Sequence, residues 1–314
     1  MNVVFLFIAL LGLWLGTELI IKGALNIANY YNLSQMFIGL SVLAIGTDLP
    51  EMVISISGSI QHLKGTQTSG VIVGNALGSC FAQVSIVLGI SGLAGYLTLT
   101  KKHLKYDGIV LLGSIALLFL FALDGIISRI EGISLLIVYT IYYLSLFHNE
   151  NFASKIKTTK SDKRIWQDLF FLISGALVVI FCADRVVHHA VILAESWGVK
   201  QSFIGIILIG LGTSLPELAI SINAALKKAS GLSVGNLIGS NIFDLLMPIG
   251  AGATIIPLSF DKNLNLIDLP LLFALTILLL FFFKKRKGLQ RNEAISLITI
   301  YIGYIIFKLS EIAF

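Results

Sequence analysis

The chain has 314 residues, of which 56% are hydrophobic and only 12% charged, and its mean hydropathy is +0.93. A soluble domain carries roughly twice that charged fraction, and at ~20–30 residues per crossing and turn the length supplies about ten membrane spans and nothing else. A large ectodomain, a nucleotide-driven motor and a soluble enzyme are excluded, and the net charge of +5 is better explained by basic cytoplasmic loops than by nucleic-acid binding.

In chain order, apolar runs predict helices over 2–31, 35–61, 70–96, 106–124 and 126–148. A polar stretch, 149–165, follows with Lys155, Lys157, Lys160, Lys163 and Arg164, and further runs predict helices over 166–197, 200–226, 231–257, 264–283 and 292–313. The expected fold is an all-α integral membrane protein of ten transmembrane helices, in two five-helix halves, 1–148 and 166–314, joined by a cytoplasmic linker. The first helix has no basic residue before Lys22, unlike a cleaved signal peptide. With the N-terminus outside, the cytoplasmic loops hold 15 basic residues and the outer loops 4, so both termini are expected outside and the central loop inside, in a multi-pass protein of the plasma membrane. Cys80 and Cys182 lie in separate apolar runs and read as packing residues.

The two halves share a repeat. Ile38–Gln61, IGLSVLAIGTDLPEMVISISGSIQ, matches Ile204–Lys227, IGIILIGLGTSLPELAISINAALK, at an offset of 166, and Gly74–Cys80, GNALGSC, matches Gly235–Asn241, GNLIGSN, at 161. Upstream, Gly16, Thr17 and Glu18 face Cys182, Ala183 and Asp184. Five spans per copy is an odd number, so the second copy enters from the opposite side and the copies form inverted repeats, a transporter signature.

Acidic residues mark the core of each copy. Asp48, Glu51, Glu217 and Asp244 fall mid-span, where a carboxylate in hydrocarbon costs ~2.5 kcal/mol or more and must face a partner, water or a cation. Structural hydrogen bonding to neighbouring helices is the plainer alternative, and the recurrence of Glu51 and Glu217 without nearby basic residues disfavours it. Pro50 and Pro216 each remove a backbone donor four residues after Gly46 and Gly212, so both helices are expected to break at the midplane. Carbonyls freed near Ala44 to Thr47 and Gly210 to Thr213 can then join the hydroxyls of Thr47, Thr213 and Ser214 and the carboxylates of Glu51 and Glu217 around a cation. Ser79 with Gln83, and Ser240 with Asp244, are spaced i, i+4 and share a helix face. Such hard oxygen ligands suit Ca²⁺ and Na⁺. Glu18 with Lys22, and Asp184 with Arg185, read as helix-stabilising or gate-region ion pairs. Lys284 to Lys287 reads as an anchor to anionic headgroups, and His188 and His189 as interfacial.

Paired GT[DS]LPE and GN–GS[CN] segments in a ten-span inverted repeat resemble the two alpha-repeats, here 38–96 and 204–257, of the cation/Ca²⁺ antiporter superfamily, sodium/calcium exchanger group. Proton/calcium exchangers of that superfamily usually carry GNxxE where this chain has GTxLPE. The resemblance implies a Ca²⁺ site at Thr47, Glu51, Thr213 and Glu217, flanked by Na⁺ sites using Ser79, Ser214 and Ser240, and exchange of three Na⁺ for one Ca²⁺. Two positions depart from the prokaryotic pattern: Asp48 stands where Ser is usual, and Gln83 where Asn or Asp is usual. Ca²⁺ and Na⁺ are then substrates, the bilayer is the only other partner implied, and no cofactor is called for. A proton-coupled Ca²⁺ antiporter, a cation channel and an intramembrane acid hydrolase are the competing readings.

Overall fold

The structure is a computed structural model that describes residues 2–65, 68–158, 164–196, 212, 214–260, 262, 264–286 and 288–313. Among them, eight helices are long and apolar enough to cross a membrane, and a ninth crossing results if Gln35–Thr47 and Leu49–Leu63, bent by 42° at their junction, count as one. Polarity is inverted relative to a soluble protein. Ile130, Phe170 and Leu177 point outward, whereas Ser79, Gln83, Asp107, Glu217 and Asp244 are fully buried, as expected where the surrounding solvent is lipid.

Several helix boundaries differ from those expected, each for a local reason. The fourth starts at Lys101 instead of residue 106, because the Thr100 hydroxyl caps it by accepting from the His103 amide at 3.4 Å. The fifth starts at Arg129: Ser128 and Glu131 form a capping box, and Ile126–Ile127, expected to be helical, pair antiparallel with Leu258–Ser259. The linker is not wholly irregular, since Phe152–Thr158 is a helix and Arg164 already belongs to the following helix, Arg164–Ser196. The span expected over 264–283 opens with a π turn, Leu264–Asp268, and runs on as Leu269–Arg286. Of the helix expected over 200–226, Leu215–Leu226 is described, and most of the rest lies outside the described residues.

Ser230–Ile255 is the hub. It packs against Arg129–Asn149, Leu49–Leu63, Ser69–Ala82, Leu215–Leu226 and the stretch 35–47. Its small residues allow this: a Cβ on Gly235 would stand 2.7 Å from the Met36 carbonyl oxygen, and one on Gly239 2.8 Å from that of Leu40. The GN–GS motif of the second copy therefore lies in backbone contact with the first copy's segment leading to GTDLPE. Outside this core, Asn2–Tyr30 and Arg164–Ser196 pair along their length.

The loops meet in two sets. Ser34, Leu97, Thr98, Glu150, Ser230 and Leu289 are linked by backbone and side-chain bonds, including Thr98 N to Ser230 Oγ at 2.6 Å and Leu289 N to Leu97 O at 2.8 Å. Glu150 accepts from the Ser34 amide at 2.7 Å, the Ser34 hydroxyl at 2.9 Å and Lys155 at 2.7 Å. Burial works against its charge, but these donors outweigh burial and hold the carboxyl below its ordinary range. The second set joins Gly125 to Phe260 and Arg129 to Ile255.

A match invisible in the motif comparison is a pair of buried acids. Asp107 accepts from Tyr142 at 3.1 Å and is bonded to His103 at 2.7 Å, while Asp268 accepts from Tyr304 at 3.0 Å and Lys308 at 2.7 Å. Asp107 and Asp268 are 161 residues apart and their tyrosines 162 apart, so the duplication reaches the fourth and fifth helices of each half.

Candidate cation site

The helices that carry Pro50 and Pro216 begin the same way. Asp48 has φ −89° and ψ 7°, and Ser214, 166 residues later, φ −90° and ψ 8°. Each precedes a helix with Pro at its second position, where the missing N–H costs nothing, and Glu51 and Glu217 fall in the first turns. The break is narrower than expected. Ala44–Thr47 stays helical, and the Ala44 carbonyl is not freed, because it accepts from the Asp48 amide at 3.1 Å. Distortion upstream takes the form of a π turn over Gly39–Leu43.

Thr47, Asp48, Glu51, Ser79, Gln83, Ser214, Glu217, Ser240 and Asp244 are all buried; Thr213 lies outside the described residues. One hydrogen-bonded chain connects the two copies. The Ser79 and Ser214 hydroxyls are 3.1 Å apart, Gln83 Nε2 donates to Ser79 at 3.0 Å and to Asp244 Oδ2 at 3.1 Å, and Asn241 Nδ2 donates to Gln83 Oε1 at 2.8 Å. Gln83 and Asp244 occupy equivalent positions in the two copies, 161 apart, so an amide in one copy is bonded to a carboxylate in the other. Asn241 was missed as a member of this chain. Its signal was the one exchange in GS[CN], where the first copy has Cys80 and the second places a buried amide.

Acidic charge is concentrated beside this chain. Asp48 lies within electrostatic reach of Asp244, Glu217 and Glu51, and Glu217 lies beside Asp48 and Thr47. Neither oxygen of Asp48, neither oxygen of Glu217, nor Oδ1 of Asp244 has a hydrogen-bond partner among the described residues. Five buried carboxylate oxygens without a donor, on three side chains, are strongly disfavoured unless something positive joins them. The Thr47 hydroxyl donates to the Leu43 and Ala44 carbonyls, at 3.1 and 3.3 Å, which leaves the oxygen's lone pairs free to accept. Among the described residues no three Asp, Glu, His or Cys side chains suffice to hold a metal ion by themselves. A cation here needs hydroxyl and carbonyl oxygens as well, the hard-ligand mixture of Ca²⁺ and Na⁺ coordination.

The ion pairs expected on the first helix of each copy are only half realised. Asp184 pairs with Arg185, as its neighbourhood suggested. Glu18, however, pairs with Lys227 at the end of Leu215–Leu226, while Lys22 sits over the Phe171 ring, 4.9 Å from its centre. A cation–π partner and a second helix, neither visible from i, i+4 spacing, decide the pairing.

Comparison with known proteins agrees with this arrangement. The chain matches the family described as sodium/calcium exchanger protein over residues 1–147 and 168–310. It is 27% identical to the sodium/calcium exchanger MaX1 of Methanosarcina acetivorans over 346 residues, 97% of each chain. It is also 29% identical to the inner membrane protein YrbG of Escherichia coli over 241 residues, 74% of this chain and 73% of that one. Among solved structures, the sodium-calcium exchanger NCX_Mj soaked with 10 mM Na⁺ and 10 mM Sr²⁺ superposes with a TM-score of 0.85 at 30% identity, over 97% of both chains.

Proposed function

Because the chain belongs to the sodium/calcium exchanger protein family, we propose that it is a secondary antiporter of the plasma membrane that exchanges Ca²⁺ for Na⁺ by alternating access. The observation that carries this reading is the pair of matching helix starts at Asp48 and Ser214, which set Glu51 and Glu217 on two helices beside one buried chain of hydroxyls, amide and carboxylate. Ca²⁺ takes Thr47, Glu51, Thr213 and Glu217; Na⁺ takes neighbouring positions with Ser79, Ser214, Ser240, Asp244 and Gln83. Asp48 adds a carboxylate beside both.

The architecture proposed is ten spans in two inverted halves, 1–148 and 166–314, with 149–165 as the cytoplasmic linker. Parity supports it, because loops on opposite sides of a ~30 Å hydrocarbon layer cannot bond. Ser34 meets Glu150, and with three unbroken spans between them the bent pair 35–63 must count as one crossing. Thr98 meets Ser230, and three spans lie between them, so one further crossing belongs between Ser196 and Ser230. Eight spans, the bent pair and that crossing make ten. The excess of basic residues in alternate loops supports a linker inside and both termini outside.

Family relatives named as exchangers favour transport over hydrolysis, and a duplicated inverted site favours alternating access over a channel. Coupling is tested by Ca²⁺ uptake into proteoliposomes under an imposed Na⁺ gradient or an imposed pH gradient. The expected result is uptake that saturates, requires internal Na⁺ and ignores ΔpH; uptake driven by ΔpH without Na⁺ makes this a proton-coupled antiporter.

Asp48 yields a second expectation. It stands among three other carboxylates, so protons and cations compete for the same oxygens, and acidification is expected to inhibit exchange. Asp48→Ser removes one competitor; it is expected to move the onset of inhibition to lower pH and to weaken apparent cation affinity. Ca²⁺ and Na⁺ concentration dependence across pH tests this, and superimposable wild-type and Asp48→Ser curves would make Asp48 a structural acid.

A further inference from the structure

Between Lys101–Phe121 and Leu269–Arg286, at the end bearing the basic loops, an open groove of about 1010 Å³ is walled by Leu104, Ile277 and Leu280 and edged by Lys101, Lys105 and Lys284. Its volume lies at the top of the ~300–1,000 Å³ range of small-molecule sites. No acidic residue lines it, and none of the three lysines has an ion-pair partner among the described residues. Lys101 and Lys105 are one turn apart and share a helix face; Lys284 comes from the facing helix. Lys102 and Lys285 are exposed nearby, the latter 5.4 Å from the centre of the Phe281 ring.

The duplication supplies an internal comparison. The 161-residue offset that relates Asp107 to Asp268 also relates Ala116 to Ile277 and Phe119 to Leu280. Ala116 and Phe119 line a second groove, of about 280 Å³, at the other end of the same helix pair, and nothing basic lines it. The fold thus makes a crevice at both ends, and the sequence enlarges one and edges it with three lysines from two helices. A general excess of basic residues on one side of the membrane does not require that convergence.

We propose that the lysine-edged groove is a binding site for one anionic phospholipid, with its phosphate among Lys101, Lys105 and Lys284 and its chains on Leu104, Ile277 and Leu280. Basic clusters between spans at the cytoplasmic interface have the chemistry for such headgroups, and the orientation proposed above puts the lipid in the inner leaflet. The proposal is independent of which ion drives exchange, so its failure leaves the transport reading intact.

Native mass spectrometry of the delipidated protein in uncharged detergent tests it, with phosphatidylglycerol and phosphatidylcholine of identical chains as probes. Wild type is expected to retain one phosphatidylglycerol with at least about tenfold preference, and inorganic phosphate at equal concentration is expected not to displace it. The triple variant Lys101→Gln, Lys105→Gln, Lys284→Gln is expected to lose the preference. Leu280→Trp, which fills the groove and keeps every charge, is expected to lose the bound lipid, while Lys64→Gln, away from the groove, retains it. Equal retention of the two lipids by wild type overturns the proposal. So does undiminished phosphatidylglycerol retention in the triple variant or in Leu280→Trp, or displacement by phosphate alone. Gel filtration and thermal midpoints report whether each variant is folded, and the wild-type preference decides the matter should a variant fail to fold.

Discussion

Glu51→Gln and Glu217→Gln are each expected to lower Ca²⁺ transport by about 100-fold or more while leaving the protein folded. The substitution keeps the shape of the side chain and removes both its charge and its capacity for bidentate coordination, the feature that lets a carboxylate hold Ca²⁺. Losing one charged partner from a buried site costs ~3 kcal/mol or more, which is the stated factor at ~1.4 kcal/mol per tenfold. Folding is expected to survive because the Glu217 oxygens accept no hydrogen bond from the described residues, so no donor is orphaned by the change. Gln83, buried and bonded to Asp244, shows that the same environment accommodates a neutral amide. Thr47→Ala is expected to be milder, since it removes a neutral hydroxyl and leaves the buried carboxylates in place. Transport into proteoliposomes beside a thermal midpoint in detergent makes the test, and wild-type rates in both single variants would remove these residues from the site.

Under an imposed potential of 100 mV, the equilibrium Ca²⁺ distribution is expected to shift about 50-fold, because three Na⁺ against one Ca²⁺ moves one net charge per cycle, worth ~2.3 kcal/mol. The arithmetic depends only on stoichiometry, so it discriminates sharply. Vesicles clamped with K⁺ and valinomycin supply the measurement. A distribution indifferent to voltage would mean two monovalent ions per Ca²⁺, and the extra carboxylate of Asp48 would then be the first residue to substitute in asking why.

The division of labour between sequence and tertiary structure can be seen residue by residue. GTDLPE and GTSLPE were legible because their physics is local: a proline at the second position of a helix fits its first turn, and a carboxylate one residue further on is held in that turn, at the site. The matching dihedrals at Asp48 and Ser214 follow from that. Helix ends were legible only to within a few residues, since capping by Thr100 and the strand pairing of Ile126–Ile127 are decided by hydrogen bonds that hydropathy does not register.

By itself, the sequence determined membrane embedding, the duplication, the Pro-led helix starts at Leu49 and Leu215 and the acidic residues in their first turns, because each depends on composition or on spacing along one helix. Only the tertiary structure decided which side chains meet. Glu18 bonds Lys227 rather than Lys22, Asn241 bonds Gln83, the Asp107 and Asp268 clusters match across the halves, and three lysines edge one groove. These pairings depend on the rotation of each helix about its axis. In lipid that rotation leaves little trace in hydropathy, since the outward face is as apolar as the packed one, and it is set by contacts such as Gly235 and Gly239 against the backbone of Met36 and Leu40.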